Sequence, residues 1–164
     1  MASEASLARG APAQIDIDEE AHWTAMEPVD RAFVFGFRAS HSGLVVPNDL
    51  VARYVTRHKE KLTGFASVDP LEAGYLDELR RAFEDLRLSG LKLAPVYQGY
   101  HPMDERMQPV YAYCERNRIP IVFHQGATFP RRAPLKYASP VLLEDVALAY
   151  PDLHFVIAHL GHPW

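Results

Sequence analysis

Short apolar runs rich in β-branched and aromatic residues alternate with amphipathic stretches of helical length from about residue 15 to the last residue. That alternation leaves few folds open. The runs at 32–37, 62–68, 90–93, 120–123 and 154–158 predict five buried strands. Helical patterns at 48–58, 71–88, 104–117 and 141–150 lie between them, and a further helix at 18–26 leads in. Asn48 and Asp104 are candidate N-caps, Pro70 and Pro140 stand near helix starts, and Pro120 and Pro151 close the preceding helices. A strand-helix unit repeating every 25 to 35 residues or so implies parallel strands joined by right-handed crossovers, an α/β fold.

Two parallel architectures satisfy this pattern, the closed eight-stranded barrel and the open doubly wound sheet. No glycine-rich phosphate fingerprint follows any strand, and polar residues gather after strand after strand instead of at one reversal point. A barrel mouth has that distribution. A full barrel takes eight strands and about 250 residues, so five strands in 164 residues predict an incomplete (β/α)8 TIM-type barrel. Residues 1–14, dominated by Ala, Ser, Gly and Pro, read as a disordered lead-in without the apolar run of a secretory signal, and 15–164 as the partial barrel domain.

The bulk numbers narrow the partners. The net charge of −4 is spread without a basic block or stripe, so nucleic acid and anionic membranes are discounted, and no stretch reaches the length of a membrane span. Cys114 is the only cysteine, which excludes an internal disulfide and a thiolate metal cluster and favours a reducing, cytoplasmic setting. A small-molecule substrate is the expected partner.

Chemistry concentrates at two strand ends. Ile119-Pro-Ile-Val-Phe-His124-Gln-Gly126 places a histidine after a buried run, followed by a glycine that permits a sharp exit, and His154-Phe-Val-Ile-Ala-His159-Leu-Gly161 repeats the design. Neighbouring strands lie about 4.8 Å apart, so histidines at equivalent heights on one face can share a metal ion or a water. Imidazole suits both roles, because its neutral nitrogen is a metal ligand and its ordinary pKa lets it pass protons near neutrality. A strand-end histidine that merely caps backbone is the plainer alternative. Lys92, between Leu91 and Leu93, points into the barrel if the leucines meet helices, and otherwise snorkels to water. His41, His101 and His162 fall in loops, while His22, His58 and His154 read as structural or surface residues.

Four motifs in order resemble one family, the amidohydrolase-related metal-dependent hydrolases and decarboxylases that include aminocarboxymuconate-semialdehyde and resorcylate-type decarboxylases. They are Gly64-Phe-Ala-Ser-Val-Asp-Pro70, the segment from Gly90 to Gln98, Pro120 to Gly126, and Tyr150 to Pro163 with its Ala-His-Leu-Gly-His-Pro ending. The resemblance implies a distorted (β/α)8 barrel in which the five strands are strands two to six. It implies that His124 binds a divalent metal, most commonly zinc with manganese as the alternative. His159 would bind metal too or act in acid/base catalysis, and Lys92, Gln98 and His162 would face the substrate. The family's His-X-His pair on strand one and aspartate on strand eight have no match, and His22 and His41 do not fit that pair, so truncation at both ends is expected. The implied activity is metal-dependent hydrolysis or decarboxylation of a small carboxylated, cyclic or lactone-like substrate, in a full-length parent that is a homo-oligomer. Two other readings stay open: a catalytically inactive fragment lacking those ligands, and a non-catalytic α/β binding module.

Overall fold

The computed structural model describes residues 18–128, 130 and 132–164; the lead-in expected at 1–14 lies outside them. Five strands, β1 (Ala32–Phe35), β4 (Leu62–Ser67), β5 (Gly90–Leu93), β6 (Ile121–His124) and β7 (Phe155–Ala158), pair in parallel in the order β1-β4-β5-β6-β7. Each new strand joins the same edge, so the order never reverses as it would in a doubly wound sheet.

The face assignments follow from the glycines and the register. A Cβ at Gly64 would strike Leu88, Val55 and Val51 side chains, so that face of β4 looks toward the helices. Through the register, Leu91, Leu93, Ile121 and Phe123 share it. There they form the core with Val51 of α2 (Asn48–Arg57), Leu79 and Ala82 of α3 (Tyr75–Glu84), Val110, Tyr111 and Cys114 of α5 (Gln108–Arg116) and Val146 of α6 (Glu144–Ala149). Burying each of the large aliphatic side chains stabilises the fold by about 1.5–3 kcal/mol. The opposite face is exposed at its two edge strands, where Phe33 is 63% and Val156 57% exposed, and buried between them at Lys92 and His124. A doubly wound sheet covers both faces with helices; this sheet is the arc of an incomplete TIM barrel, with its helix-packed core on the outer face.

The run expected as one strand at 32–37 is two. The chain bends at Gly36, whose N–H still donates to Phe65 O at 2.7 Å, and continues as β2 (Phe37–Ala39), paired antiparallel with β3 (Leu44–Val46). A Cβ at Gly36 would lie 2.5 Å from Asn48 Oδ1 and 3.2 Å from Ser67 N, so the bend needs glycine. Asn48, expected to cap α2, is instead buried in its first turn, donating to Ser67 O and Glu78 Oε1 and accepting from Ser67 N. Asp18 does cap α1 (Glu19–Ala25), accepting from Ala21 N, and Asp104 caps the turn before α5. A short helix, α4 (Pro95–Gln98), follows β5 where a loop is expected. No helix among the described residues is long and apolar enough to cross a membrane.

Candidate active site

His124 is the last residue of β6 and shares the concave face with Lys92 and Val122. Its register partner on β7 is Ala158, not His159. The two histidines are therefore not at equivalent positions of the sheet as the sequence suggests, and strict alternation would send His159 to the other face. The chain corrects this by leaving β7 through two left-handed residues, His159 (φ 59°) and Leu160 (φ 51°), a conformation that costs non-glycine residues about 1–2 kcal/mol each. The turn closes with His162 N donating to His159 O at 3.0 Å. It swings the His159 ring to 4.7 Å from that of His124, centroid to centroid, at an interplanar angle of 61°.

The turn is fastened to β6. Ala127 N donates to His162 O at 2.7 Å, and Gly126 (φ 115°) passes so close that a Cβ there would lie 2.6 Å from the same oxygen. Gly126 N donates to Ala138 O at 2.8 Å, and Gln125, with its amide nitrogen toward the loop, donates to Ala138 O at 2.7 Å and Tyr137 O at 3.1 Å. The exits of β6 and β7 thus form one hydrogen-bonded unit carrying both imidazoles.

His124 is buried, and its Nε2 finds no hydrogen-bond partner. Burial, then the nearby positive charges of Lys92 and His159, push its pKa down to about 4 against the pull of a backbone hydrogen bond at Ala127. At neutral pH the ring is uncharged and presents a free lone pair. An orphaned buried nitrogen on a neutral imidazole, beside a second and exposed imidazole, is a donor set that fits a divalent metal. Among the described residues no cluster of three or more His, Cys, Asp or Glu side chains could hold an ion, so these two nitrogens are the donors that this arc brings together.

Lys92 is 7% exposed, and burial pulls its pKa down to about 8. It lies on the concave face, as the sequence predicts if the leucines meet helices, with its Nζ 5.5 Å from the centre of the Phe35 ring. No carboxylate pairs with it among the described residues, so it is a buried cation in want of an anion.

Gln98 stands differently from the substrate-facing position expected. It is fully buried, its Oε1 accepts from Ala94 N at 2.8 Å, and its Nε2 donates to Arg38 O at 2.6 Å and Val68 O at 2.7 Å. Its amide is spent on tying β2 to the ends of β4 and β5. Asp69 and Ser67 complete that tie: Asp69 Oδ2 accepts from Ser40 N and Oγ, and Ser67 Oγ accepts from Arg38 N. The sequence signal for these anchors is the polar cluster ending β4, Ser67-Val-Asp69. His162 is exposed and takes part through its backbone. His101 accepts from Met103 N, His41 bonds Arg132 O at 2.8 Å, His22 bonds Tyr54 Oη and His58 stacks on Trp23; none of these four joins the pair.

Solved structures share this architecture. An uncharacterised TIM-barrel protein of Bordetella bronchiseptica superposes with a TM-score of 0.76 at 24% identity, covering 88% of this chain and 52% of its own. A 2,6-dihydroxybenzoate decarboxylase from Rhizobium gives 0.66 at 16% identity over 90% of this chain and 57% of its own. A 5-carboxyvanillate decarboxylase of Novosphingobium aromaticivorans, solved with bound manganese, gives 0.66 at 17% over 88% and 51%. The chain thus spans little more than half the length of these proteins, and at such identities the likeness speaks for the fold. No curated protein matches the sequence significantly. The sequence model of the family described as Amidohydrolase matches residues 9–164, and the chain belongs to that family.

Proposed function

We propose that His124 and His159 are two protein ligands of a divalent-metal centre in a hydrolase or decarboxylase acting on a small carboxylated molecule. The observation that carries this reading is the unpartnered, buried Nε2 of a neutral His124 facing a second imidazole at 4.7 Å. A buried nitrogen left without a partner costs about 1–3 kcal/mol, and a bound ion removes that cost. Zinc is the first choice for two nitrogen donors, and the manganese in the decarboxylase neighbour keeps that ion as the alternative. When bound, such an ion polarises water or the scissile group.

The chain's own groups divide the remaining work. Lys92, unpaired at the bottom of the concave mouth, is suited to hold a substrate carboxylate by charge and hydrogen bonding. The alternative to ligation by His159 is acid/base work, for which its exposed ring has room at the reacting atom. His162 borders the same turn and supports a substrate contact from its exposed position. Calorimetric titration of the chain with zinc chloride and with manganese chloride tests the reading. One equivalent of metal should bind, and His124→Ala and His159→Ala should each abolish it. Binding that both variants retain would refute the assignment.

A second reading, a chain that binds metal without turnover, is favoured by the two-donor limit, since a catalytic zinc site usually takes three protein ligands. Stoichiometric binding with no hydrolysis or decarboxylation of aromatic carboxylates would select it.

A further inference from the structure

We infer that Tyr97 is a positioning residue that fixes the orientation of the His124 ring; the inference rests on the metal-ligand reading of His124. A backbone hydrogen bond at Ala127 holds one side of the His124 ring, but none reaches Nε2, so on that side the ring is oriented by what it touches. Its two ring neighbours are His159 at 4.7 Å and Tyr97 at 4.8 Å, the latter edge to face at 89°. His159 is exposed and sits on a left-handed turn, whereas Tyr97 is wedged from several sides. It packs against the small cluster of Val96, Ala133 and Ala138, and its ring meets Phe37 edge to face at 5.3 Å.

Phe37 in turn belongs to β2, the strand that Gln98 and Ser67 bind through the backbone of Arg38. A continuous relay of contacts therefore runs from the buried Gln98 amide through Phe37 and Tyr97 to the imidazole. It gives the anchoring of the β2–β3 hairpin through Arg38 and Ser40 a consequence at the mouth. The phenol of Tyr97 makes no hydrogen bond among the described residues, so the ring alone performs the task. A ligand held by its surroundings binds metal more tightly than one that must be ordered at each binding event.

The test uses the whole chain with zinc as probe and histidine labelled at Cε1. Tyr97→Ala should weaken zinc binding by about tenfold, and Phe37→Ala by a smaller factor in the same direction. Tyr97→Phe should restore wild-type affinity to within about twofold. In the metal-free protein the NOE between the His124 and His159 rings should vanish in Tyr97→Ala and persist in Tyr97→Phe. Far-UV circular dichroism of each variant confirms that the fold is kept. If Tyr97→Ala binds zinc as the wild type does while His124→Ala does not bind, the positioning role is refuted and the metal reading stands. If zinc binding does not depend on His124, the metal reading fails and the NOE decides the role of Tyr97: an unchanged NOE in Tyr97→Ala overturns it, and a lost one upholds it.

Discussion

The rings of His124 and His159 meet at 4.7 Å although the residue opposite His124 across the sheet is Ala158. Two left-handed residues supply the missing half-turn, and Gly126 supplies the space in which the turn docks. The site is thus built by backbone geometry. Stored strain of this kind persists only where surrounding contacts hold it.

Gly126→Ala tests that dependence. The new Cβ meets His162 O at 2.6 Å in a backbone conformation already unfavourable to L side chains. Stability should fall by about 1–3 kcal/mol. Zinc affinity should fall with it, whereas an equally destabilising core variant remote from the mouth should leave affinity in the folded fraction unchanged.

Lys92→Met should stabilise the chain. Removing a buried ammonium that lacks a carboxylate partner is expected to gain about 1–3 kcal/mol at pH 7. The folded-state pKa of Lys92 lies near 8, below the ordinary 10.5, so the folded state is penalised below pH 8 and the penalty fades as pH rises through 10.5. The Tm advantage of the variant should therefore shrink between pH 8 and 10.5. A constant or absent advantage would show that Lys92 is paired in solution.

The His124 shift has the same sense. Its folded pKa, about 4, is below the ordinary 6.5, so the unfolded chain takes up a proton first as pH falls. Above pH 6.5 both states are neutral and nothing is lost; between 6.5 and 4 stability drops. His124→Gln should flatten the fall of Tm in that window. Removing the Lys92 charge should raise the His124 pKa, which titration of the labelled ring measures directly.

Gln98→Ala should behave as the loss of a clamp. Three backbone groups, Ala94 N, Arg38 O and Val68 O, lose their partner. The cost should be about 2–4 kcal/mol, read from chemical denaturation. An unchanged midpoint with weakened binding of a carboxylate probe would instead make Gln98 a substrate contact.

The periodicity of the chain was enough to expose five parallel strands, their helices and the barrel arc, because buried runs such as 62–68 and 120–123 keep one texture throughout. The strand-end histidines were legible for a related reason: each interrupts an apolar run just before a glycine. What could not be read was set by tertiary contacts. Gly36 breaks a run that looks continuous because Asn48 and Ser67 crowd it from across the fold. With that break hidden, the β2–β3 hairpin and the burial of Gln98 beneath it were hidden too. The half-turn at His159 and Leu160 carries little local signal, since histidine, though more prone to positive φ than most residues, adopts it uncommonly and leucine rarely does.

The convergence of two imidazoles on one ion is tested most directly by zinc K-edge X-ray absorption of the chain loaded with one equivalent of zinc. Two imidazole nitrogens are expected in the coordination shell, falling to one in His124→Ala and in His159→Ala where a large excess of zinc forces residual occupancy of the weakened site. A shell without imidazole, or one that neither substitution alters, would contradict that convergence.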